Sequence, residues 1–209
     1  MTTSAYIHIP FCDNICNYCD FCKRYNYPHV IDKYLDSLEL DIKDNYHGEK
    51  LKTIYIGGGT PSCLSLEQLK ELFEILKILK KKKNIEYTIE GNIESTSIEK
   101  LKLYKEYGIN RLSFGIESLN PNIQKYLNRK TKKETIENLL QEARNLGFHN
   151  INLDLMYAIP NETIEMLKQL ESKYNQYFAY SDVAGIKQVQ FIRELEAKQV
   201  LDDYYGTDI

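Results

Sequence analysis

The sequence has little net charge, no long apolar run and few cysteines, and each shortage excludes a class of protein. Its 209 residues carry 27 Lys and Arg against 30 Asp and Glu, a formal charge of −3. This balance indicates neither a nucleic-acid-binding protein nor one that binds an anionic membrane. The sequence also lacks both the ~18 consecutive apolar residues of a membrane span and the basic start of an export signal. We therefore expect a cytoplasmic protein without a membrane span.

The composition that remains is that of a globular chain. Apolar residues make up 43% of the sequence and charged residues 27%, which excludes disordered and collagen-like classes. No low-complexity linker divides the chain. We expect one core domain over residues 1–180, followed over 181–209 by a helical tail whose packing the sequence does not define.

Short β-branched or aromatic segments alternate with longer segments whose apolar residues recur every three or four positions. The predicted strands are 5–9, 53–56, 86–90, 110–114 and 151–157. Because a helical pattern separates consecutive strands, they predict a parallel α/β sheet with right-handed crossovers. Such a sheet is either open and doubly wound or part of a βα barrel, and periodicity alone does not distinguish the two.

Three sequence pairs predict where helices begin, because each pair can satisfy free backbone N–H groups at a helix start. The pairs are Ser65 with Gln68, Thr96 with Glu99, and Thr131 with Glu134. Gly108 and Gly147 are predicted to end helices just before a strand, since glycine tolerates the left-handed backbone found there.

Four of the five cysteines crowd into residues 12–22. Without an export signal, such crowding indicates metal ligands or redox thiols before disulfides. Cys12, Cys16 and Cys19 follow the first strand directly, at the end that carries the active site in βα barrels. Neither a closed four-ligand zinc site nor the ferredoxin spacing fits well, whereas three thiolates suit a [4Fe–4S] cluster with one open iron. Cys22 is either a fourth ligand or, as its irregular spacing favours, a simple thiol.

Further polar and glycine-rich positions coincide with predicted strand ends. The glycine run 57–59 predicts a tight turn or a close backbone approach to a ligand. Glu90, Glu117, Arg129 and Asp154 lie at or just beyond the third, fourth and fifth strands. Each residue alone would suit a surface position, but together they can converge on one ligand.

The segment YIHIPFCDNICNYCDFC resembles the opening motif of radical S-adenosylmethionine (SAM) enzymes. More narrowly, it resembles the branch that contains the oxygen-independent coproporphyrinogen III oxidase and a related heme chaperone. The resemblance continues through IYIGGGTPS, IEGN, NRLSFGIESLN, LNRKT and INLDLMYAIP, over about residues 5–175. It implies a partial parallel (βα) barrel of the radical SAM type, with about five to six βα units and the cofactors at the C-terminal mouth of the strands.

The resemblance also implies the ligands of both cofactors. The implied cluster ligands are Cys12, Cys16 and Cys19. The implied SAM contacts are Tyr6, Gly58, Gly59, Thr60, Glu90, Glu117, Arg129 and Asp154. In the family's chemistry the reduced cluster gives an electron to SAM, whose cleavage yields methionine and a 5′-deoxyadenosyl radical. This chemistry implies an electron donor such as flavodoxin or ferredoxin.

The sequence departs from the family pattern at several positions. Glu117 stands where the family has Gln, which adds a negative charge near the cofactor. Ala158 replaces a glycine, an unfavourable change if that position needs a positive φ. Gly91-Asn92-Ile93 replaces an ANP-like turn. Phe21 occupies the position of the oxidase's last cysteine, which favours the heme chaperone branch.

These features predict a heme chaperone-like protein that binds the cluster and SAM and that binds and delivers heme. The alternatives are a coproporphyrinogen III oxidase of porphyrin biosynthesis, or a truncated remnant that binds only a cluster. The last arises because family members are longer and the segment after about Glu171 does not resemble theirs. The implied partners are a tetrapyrrole, either heme or coproporphyrinogen III, and the electron donor. The sequence leaves turnover, the catalytic residues and a homodimer undecided.

Overall fold

Five parallel strands form the main sheet of the computed structural model, which describes residues 3–177. The strands in chain order are β1 (Ser4–Ile9), β2 (Phe11–Cys12), β3 (Arg24–Tyr25), β4 (Leu51–Gly58), β5 (Lys81–Asn92), β6 (Arg111–Glu117) and β7 (Asn150–Leu155). β2 and β3 form a separate two-stranded sheet. The main sheet contains all five predicted strands, so the predicted parallel α/β architecture is confirmed. The predicted tail, with its helix-like stretch 185–200, lies outside the described residues.

Helices connect the strands of the main sheet. They are α1 (Pro28–Asn45), α2 (Leu66–Ile75), α3 (Ile98–Glu106), α4 (Pro121–Tyr126), α5 (Lys133–Asn145) and α6 (Ile164–Tyr174). Short 3₁₀ turns occupy Pro61–Cys63, Leu76–Ile78 and Asn175–Tyr177. None of the helices within residues 3–177 has the length and apolar character that a bilayer crossing requires.

One of the three predicted helix starts is confirmed and two are wrong. Ser65 and Gln68 form the predicted reciprocal capping box at the start of α2. The predicted cap at Thr96 is wrong, because its hydroxyl bonds the Asn92 carbonyl and Ser97 caps α3 instead. The predicted cap at Thr131 is also wrong, since this hydroxyl bonds a Glu94 carboxylate and α5 begins without a side-chain cap. At Thr96 a different local bond takes the hydroxyl, and at Thr131 a tertiary contact does so.

The order of strands in the main sheet distinguishes the two predicted architectures. The order is β1-β4-β5-β6-β7, which is also the order along the chain. Crossovers of one hand that all step in one direction place their helices on one face, whereas a doubly wound sheet reverses direction and covers both faces. Accordingly α1 packs on α2, α2 on α3, and α3 on α5. The arrangement is therefore that of a partial βα barrel, with β1 and β7 at the sheet edges within residues 3–177.

Alternation along each strand gives the sheet two chemically different faces. The buried apolar side belongs to the main hydrophobic core with the helices and includes Ile7, Ile9, Ile54, Ile56, Ile89, Leu112, Phe114, Ile151 and Leu153. The residues between them are polar or aromatic. On this second face Glu90 is paired in register with Ser113, and Gly115 with Asp154. The second face therefore carries the chemical groups of the sheet.

Ala158 adopts the backbone conformation that glycine tolerates best. Its φ is +59°, and a residue with a Cβ pays about 1 kcal/mol or more in this left-handed region. The departure from the family's glycine is therefore a site of backbone strain. By contrast, Gly108 and Gly147 keep glycine at the predicted helix ends, with φ of +82° and +81°.

We expect Ala158→Gly to raise the free energy of unfolding by about 1 kcal/mol, because it removes the strain of the left-handed backbone. Urea denaturation followed by circular dichroism measures this change. The matched control is Ala143→Gly in the buried face of α5, which should lower stability by ~1 kcal/mol. A destabilised Ala158→Gly variant would contradict the strain argument.

Candidate cofactor site

Three thiols meet at one cavity beside the second face of the sheet. Cys12 ends β2 and is buried, while Cys16 and Cys19 are half-buried on the loop that follows, and all three are free thiols. The Cys19 N–H donates to the Cys16 carbonyl at 3.3 Å, which places these two residues in one turn. All three line a cavity of about 220 Å³.

The cysteine loop, residues 12–22, is anchored by the chain segment that follows α4. Asn17 donates to the carbonyls of Leu127 (3.2 Å) and Tyr126 (2.7 Å) from its backbone and side chain respectively. Asn128, with φ +57°, donates from its side chain to the Ile15 carbonyl at 2.8 Å and accepts a bond from Asn14 at its own carbonyl. The loop is therefore held through groups that are not themselves thiols.

The glycine turn at the end of β4 contacts the cysteine loop directly. The Gly59 N–H donates to the Ile9 carbonyl at 2.8 Å, and the Thr60 N–H donates to the Phe11 carbonyl at 2.7 Å. A Cβ at Gly59 would lie 2.7 Å from the Phe11 carbonyl oxygen and 3.0 Å from the Cys12 sulfur. Only glycine allows this approach. The Thr60 hydroxyl also donates to the Cys12 sulfur at 3.4 Å.

Glu90 places a carboxylate at the end of β5, beside the glycine turn. Its two oxygens accept bonds from the Tyr55 hydroxyl at 2.5 Å and the Gly58 N–H at 3.0 Å. Burial raises the pKa of the Glu90 carboxyl, and both hydrogen bonds oppose this rise because they favour the charged form.

Asp154 provides a second carboxylate at the end of β7. It accepts bonds from the Asn152 amide at 2.5 Å and from the Ser113 hydroxyl at 3.4 Å. Burial raises the pKa of the Asp154 carboxyl, again against these hydrogen bonds. Glu90 and Asp154 thus lie on separate strands and line the same cavity.

Glu117 and Arg129 form a buried ion pair, with 2.9 Å between Arg129 Nη2 and Glu117 Oε2. The other Glu117 oxygen accepts a bond from the Tyr18 hydroxyl at 2.6 Å. Burial raises the pKa of Glu117, while Arg129 and Tyr18 oppose the rise. Arg129 also bonds the Asn92 side-chain oxygen at 2.9 Å and approaches the Cys16 sulfur at 3.8 Å.

Ten of the eleven residues that the sequence assigns to the site line this one cavity, and the exception is Tyr6. The Tyr6 hydroxyl lies 3.0 Å from His8 Nδ1, and its ring stacks on Tyr55 with 6.0 Å between centroids. Cys22 is exposed and lies outside the cavity, in a separate groove of about 450 Å³. Tyr6 and Cys22 therefore do not line the cavity, although Tyr6 contacts it indirectly because Tyr55 bonds Glu90.

Sequence reasoning missed several polar residues that complete the site. They are Tyr18, Tyr55, Asn92, Ser113 and Asn152. Two-residue periodicity could have found Ser113 and Asn152, because they share the polar strand face with Glu90 and Asp154. No local signal identifies Tyr18, whose partner Glu117 is 99 residues away along the chain.

The residues present fit an iron–sulfur cluster and an adjacent cationic ligand. Three free thiols supply the soft donors that iron–sulfur clusters require. Within residues 3–177, no three His, Cys, Asp or Glu side chains are arranged to hold a single metal ion. Among the same residues, Arg129 Nε is buried without a hydrogen-bond partner, so one donor at the cavity remains available.

Comparisons with known proteins agree with this fit. The model of the Radical SAM superfamily matches residues 6–173. The chain is 44% identical over 177 residues to the heme chaperone HemW of Bacillus subtilis (strain 168), covering 82% of this chain and 46% of that protein. It is 34% identical over 168 residues to the oxygen-independent coproporphyrinogen III oxidase of Escherichia coli (strain K12), covering 78% and 36%.

A solved structure also resembles the fold. Coproporphyrinogen III oxidase (HemN) from Escherichia coli, a radical SAM enzyme, matches with a TM-score of 0.79 and 28% identity over 98% of this chain. The match covers 52% of the oxidase, so the chain spans about half the length of such relatives or less. Because the family model covers more than half of its residues, the chain belongs to the radical SAM superfamily.

Proposed function

We propose that this chain binds a [4Fe–4S] cluster and SAM at the cavity, and that it binds and delivers heme. The observation that carries the proposal is the shared lining of one cavity by three free thiols, a glycine turn and two strand-end carboxylates. Membership of the radical SAM superfamily supports both cofactors. The similarity to HemW supports the heme chaperone role.

Cys12, Cys16 and Cys19 are the proposed cluster ligands. When bound, a cluster with one iron free of protein ligands, together with SAM, supplies one-electron reductive cleavage of SAM. The protein orients the three thiols through the asparagine anchors of the loop, and the Gly59 turn covers Cys12. A one-electron donor such as flavodoxin or ferredoxin is the proposed partner for reduction.

The proposed SAM site extends from the thiols along the strand ends. Gly58, Gly59 and Thr60 present backbone close to the cysteine loop. Glu90 and Asp154 offer carboxylates that suit the positive groups of SAM, its amino group and its sulfonium. Arg129 Nε is a remaining donor for an anionic or polar group of the ligand.

A tetrapyrrole is the proposed partner, and heme is the first candidate. Phe21 lines the cavity and is 72% exposed, so its ring offers a flat apolar surface on which a macrocycle can stack. The second candidate function is coproporphyrinogen III oxidation. The fold similarity to the Escherichia coli oxidase favours it.

The cluster assignment predicts a sharp division among the cysteines. Replacing Cys12, Cys16 or Cys19 with Ala should abolish the visible absorption of the anaerobically reconstituted cluster, because each variant removes a ligand. Cys22→Ala and Cys63→Ala are the matched controls. They should retain the cluster, since Cys22 lies outside the cavity and Cys63 does not line it. Equal loss in Cys22→Ala would overturn the three-ligand assignment.

The SAM assignment predicts that the negative charges of Glu90 and Asp154 strengthen the binding of SAM. Glu90→Gln and Asp154→Asn should each weaken SAM binding by about tenfold or more, because each loses a charge-assisted hydrogen bond. Iron content should stay unchanged. Isothermal titration of the reconstituted protein measures the affinity, with the exposed Glu86→Ala on the same strand as control. Unchanged affinity in both site variants would remove these residues from the SAM site.

The heme chaperone role and the oxidase role predict different products. Titration with heme, followed by absorption, should show saturable binding that Phe21→Ala weakens severalfold through lost stacking. Incubation with coproporphyrinogen III, SAM and reductant should yield no decarboxylated product by chromatography. Decarboxylation at about 1 per second or faster, in the range of ordinary enzymes, would assign the chain to the oxidase function instead.

A further inference from the structure

Tyr18 ties the middle of the cysteine loop to the end of β6. It lies between Cys16 and Cys19, and its ring packs against a small hydrophobic cluster of Ile123, Leu127 and Ile159. Its hydroxyl donates to Glu117 Oε1 at 2.6 Å. The ring and the hydroxyl therefore have separate partners, so Tyr18→Phe removes one and keeps the other.

Glu117 in turn forms an ion pair with Arg129. Its second oxygen pairs with Arg129 Nη2 at 2.9 Å, and the two side chains are only 10% and 5% exposed. Arg129 also donates from Nη2 to the Gly115 carbonyl and from Nη1 to Asn92, and Nη1 lies 3.8 Å from the Cys16 sulfur. The pair thus connects the ends of β5 and β6 with two points on the cysteine loop.

The backbone at Glu117 and Gly115 has two features that the ion pair of Glu117 and Arg129 requires. Glu117 has a φ of +53°, a conformation that costs ~1 kcal/mol or more in a residue with a side chain. A Cβ at Gly115 would lie 2.6 Å from Glu117 Oε1 and 2.9 Å from Arg129 Nη2. The left-handed backbone at Glu117 and the missing side chain at Gly115 therefore both make room for the ion pair.

A carboxylate at position 117 serves two donors in a way that an amide would not. Tyr18 and Arg129 donate to different oxygens of Glu117, and a Gln side chain has only one accepting oxygen. The carboxylate also gives the buried Arg129 an ionic partner, without which its charge would be uncompensated. Glu at position 117 therefore gives each donor its own oxygen and gives Arg129 an opposite charge.

We propose that Glu117 is a positioning residue that, with Tyr18 and Arg129, clamps the cysteine loop so that its thiols face the cavity before a cofactor binds. Both terminal nitrogens of Arg129 take part in the clamp, whereas its Nε is left as a donor at the cavity. The significance of the clamp rests on the proposed function of Cys12, Cys16 and Cys19.

Thiol alkylation of the metal-free 209-residue chain tests the clamp without any cofactor. In Tyr18→Phe, iodoacetamide should modify Cys16 and Cys19 about tenfold faster than in the wild type, since a hydrogen bond to a charged group is lost. Peptide mass spectrometry gives the rate at each cysteine. Exposed Cys22 and buried Cys63 should keep their wild-type rates, which shows that the fold is intact.

Tyr107→Phe is the matched control. It removes a hydroxyl bonded to another carboxylate, Glu74, at 2.5 Å, and neither residue lines the cavity. It should leave the alkylation rates of Cys16 and Cys19 unchanged. Equal rates in wild type, Tyr18→Phe and Tyr107→Phe would overturn the clamp, and so would equal acceleration in both variants.

Retention of the reconstituted cluster gives a second measurement. Iron release to a chelator should be about tenfold faster in Tyr18→Phe than in the wild type and Tyr107→Phe. Glu117→Gln should fall between, because its single accepting oxygen keeps one of the two bonds. Wild-type release rates in both Tyr18→Phe and Glu117→Gln would overturn the clamp. Failure of the wild type to take up a cluster would instead overturn the proposed function, while the alkylation rates still decide the clamp.

Discussion

The site depends on one constraint, namely that parallel strands laid side by side in chain order all end at the same edge of the sheet. Glu90, Glu117 and Asp154 come from three different strands, yet they line one cavity because β5, β6 and β7 are neighbours. The same order places the helices on the opposite face, which leaves the second face free for polar groups. The cysteine loop comes after β1 in the chain, so it also lies at this edge of the sheet, next to the three carboxylates.

The sequence patterns predict the sheet well because β-branched and aromatic runs form its interior. They place strand ends less well: the predicted strand 86–90 extends over Lys81–Asn92, because Leu51 and Lys81 pair through their backbones whatever their side chains. Within the site, motif resemblance indicated Glu90 and Asp154. The roles of Tyr18 and Asn128 were not predicted, because local sequence patterns give no information about contacts between distant residues. Tyr18 is 99 positions from its partner Glu117, and Asn128 is 114 positions from its partner Asn14.

The electrostatic balance of the cavity favours a positively charged ligand. Glu117 is buried there with Arg129 as its partner, whereas Glu90 is half-buried and Asp154 is exposed to the cavity. Among residues 3–177, the groups that donate hydrogen bonds to Glu90 and Asp154 are all uncharged. Each carboxylate loses part of the stabilisation that water gives to its charge, and this loss raises the pKa of both. A cation bound between them would restore that stabilisation, as the sulfonium and amino groups of SAM would.

The hydrophobic cluster beneath Tyr18 has a consequence for local stability. Ile123, Leu127 and Ile159 form a small satellite that is separate from the main core of the sheet. Opening the cysteine loop therefore exposes little apolar surface and leaves the sheet folded, so its free energy lies well below that of global unfolding. Amide hydrogens of the loop would exchange through this local opening, whereas those of β4 and β5 would exchange only when the whole domain unfolds.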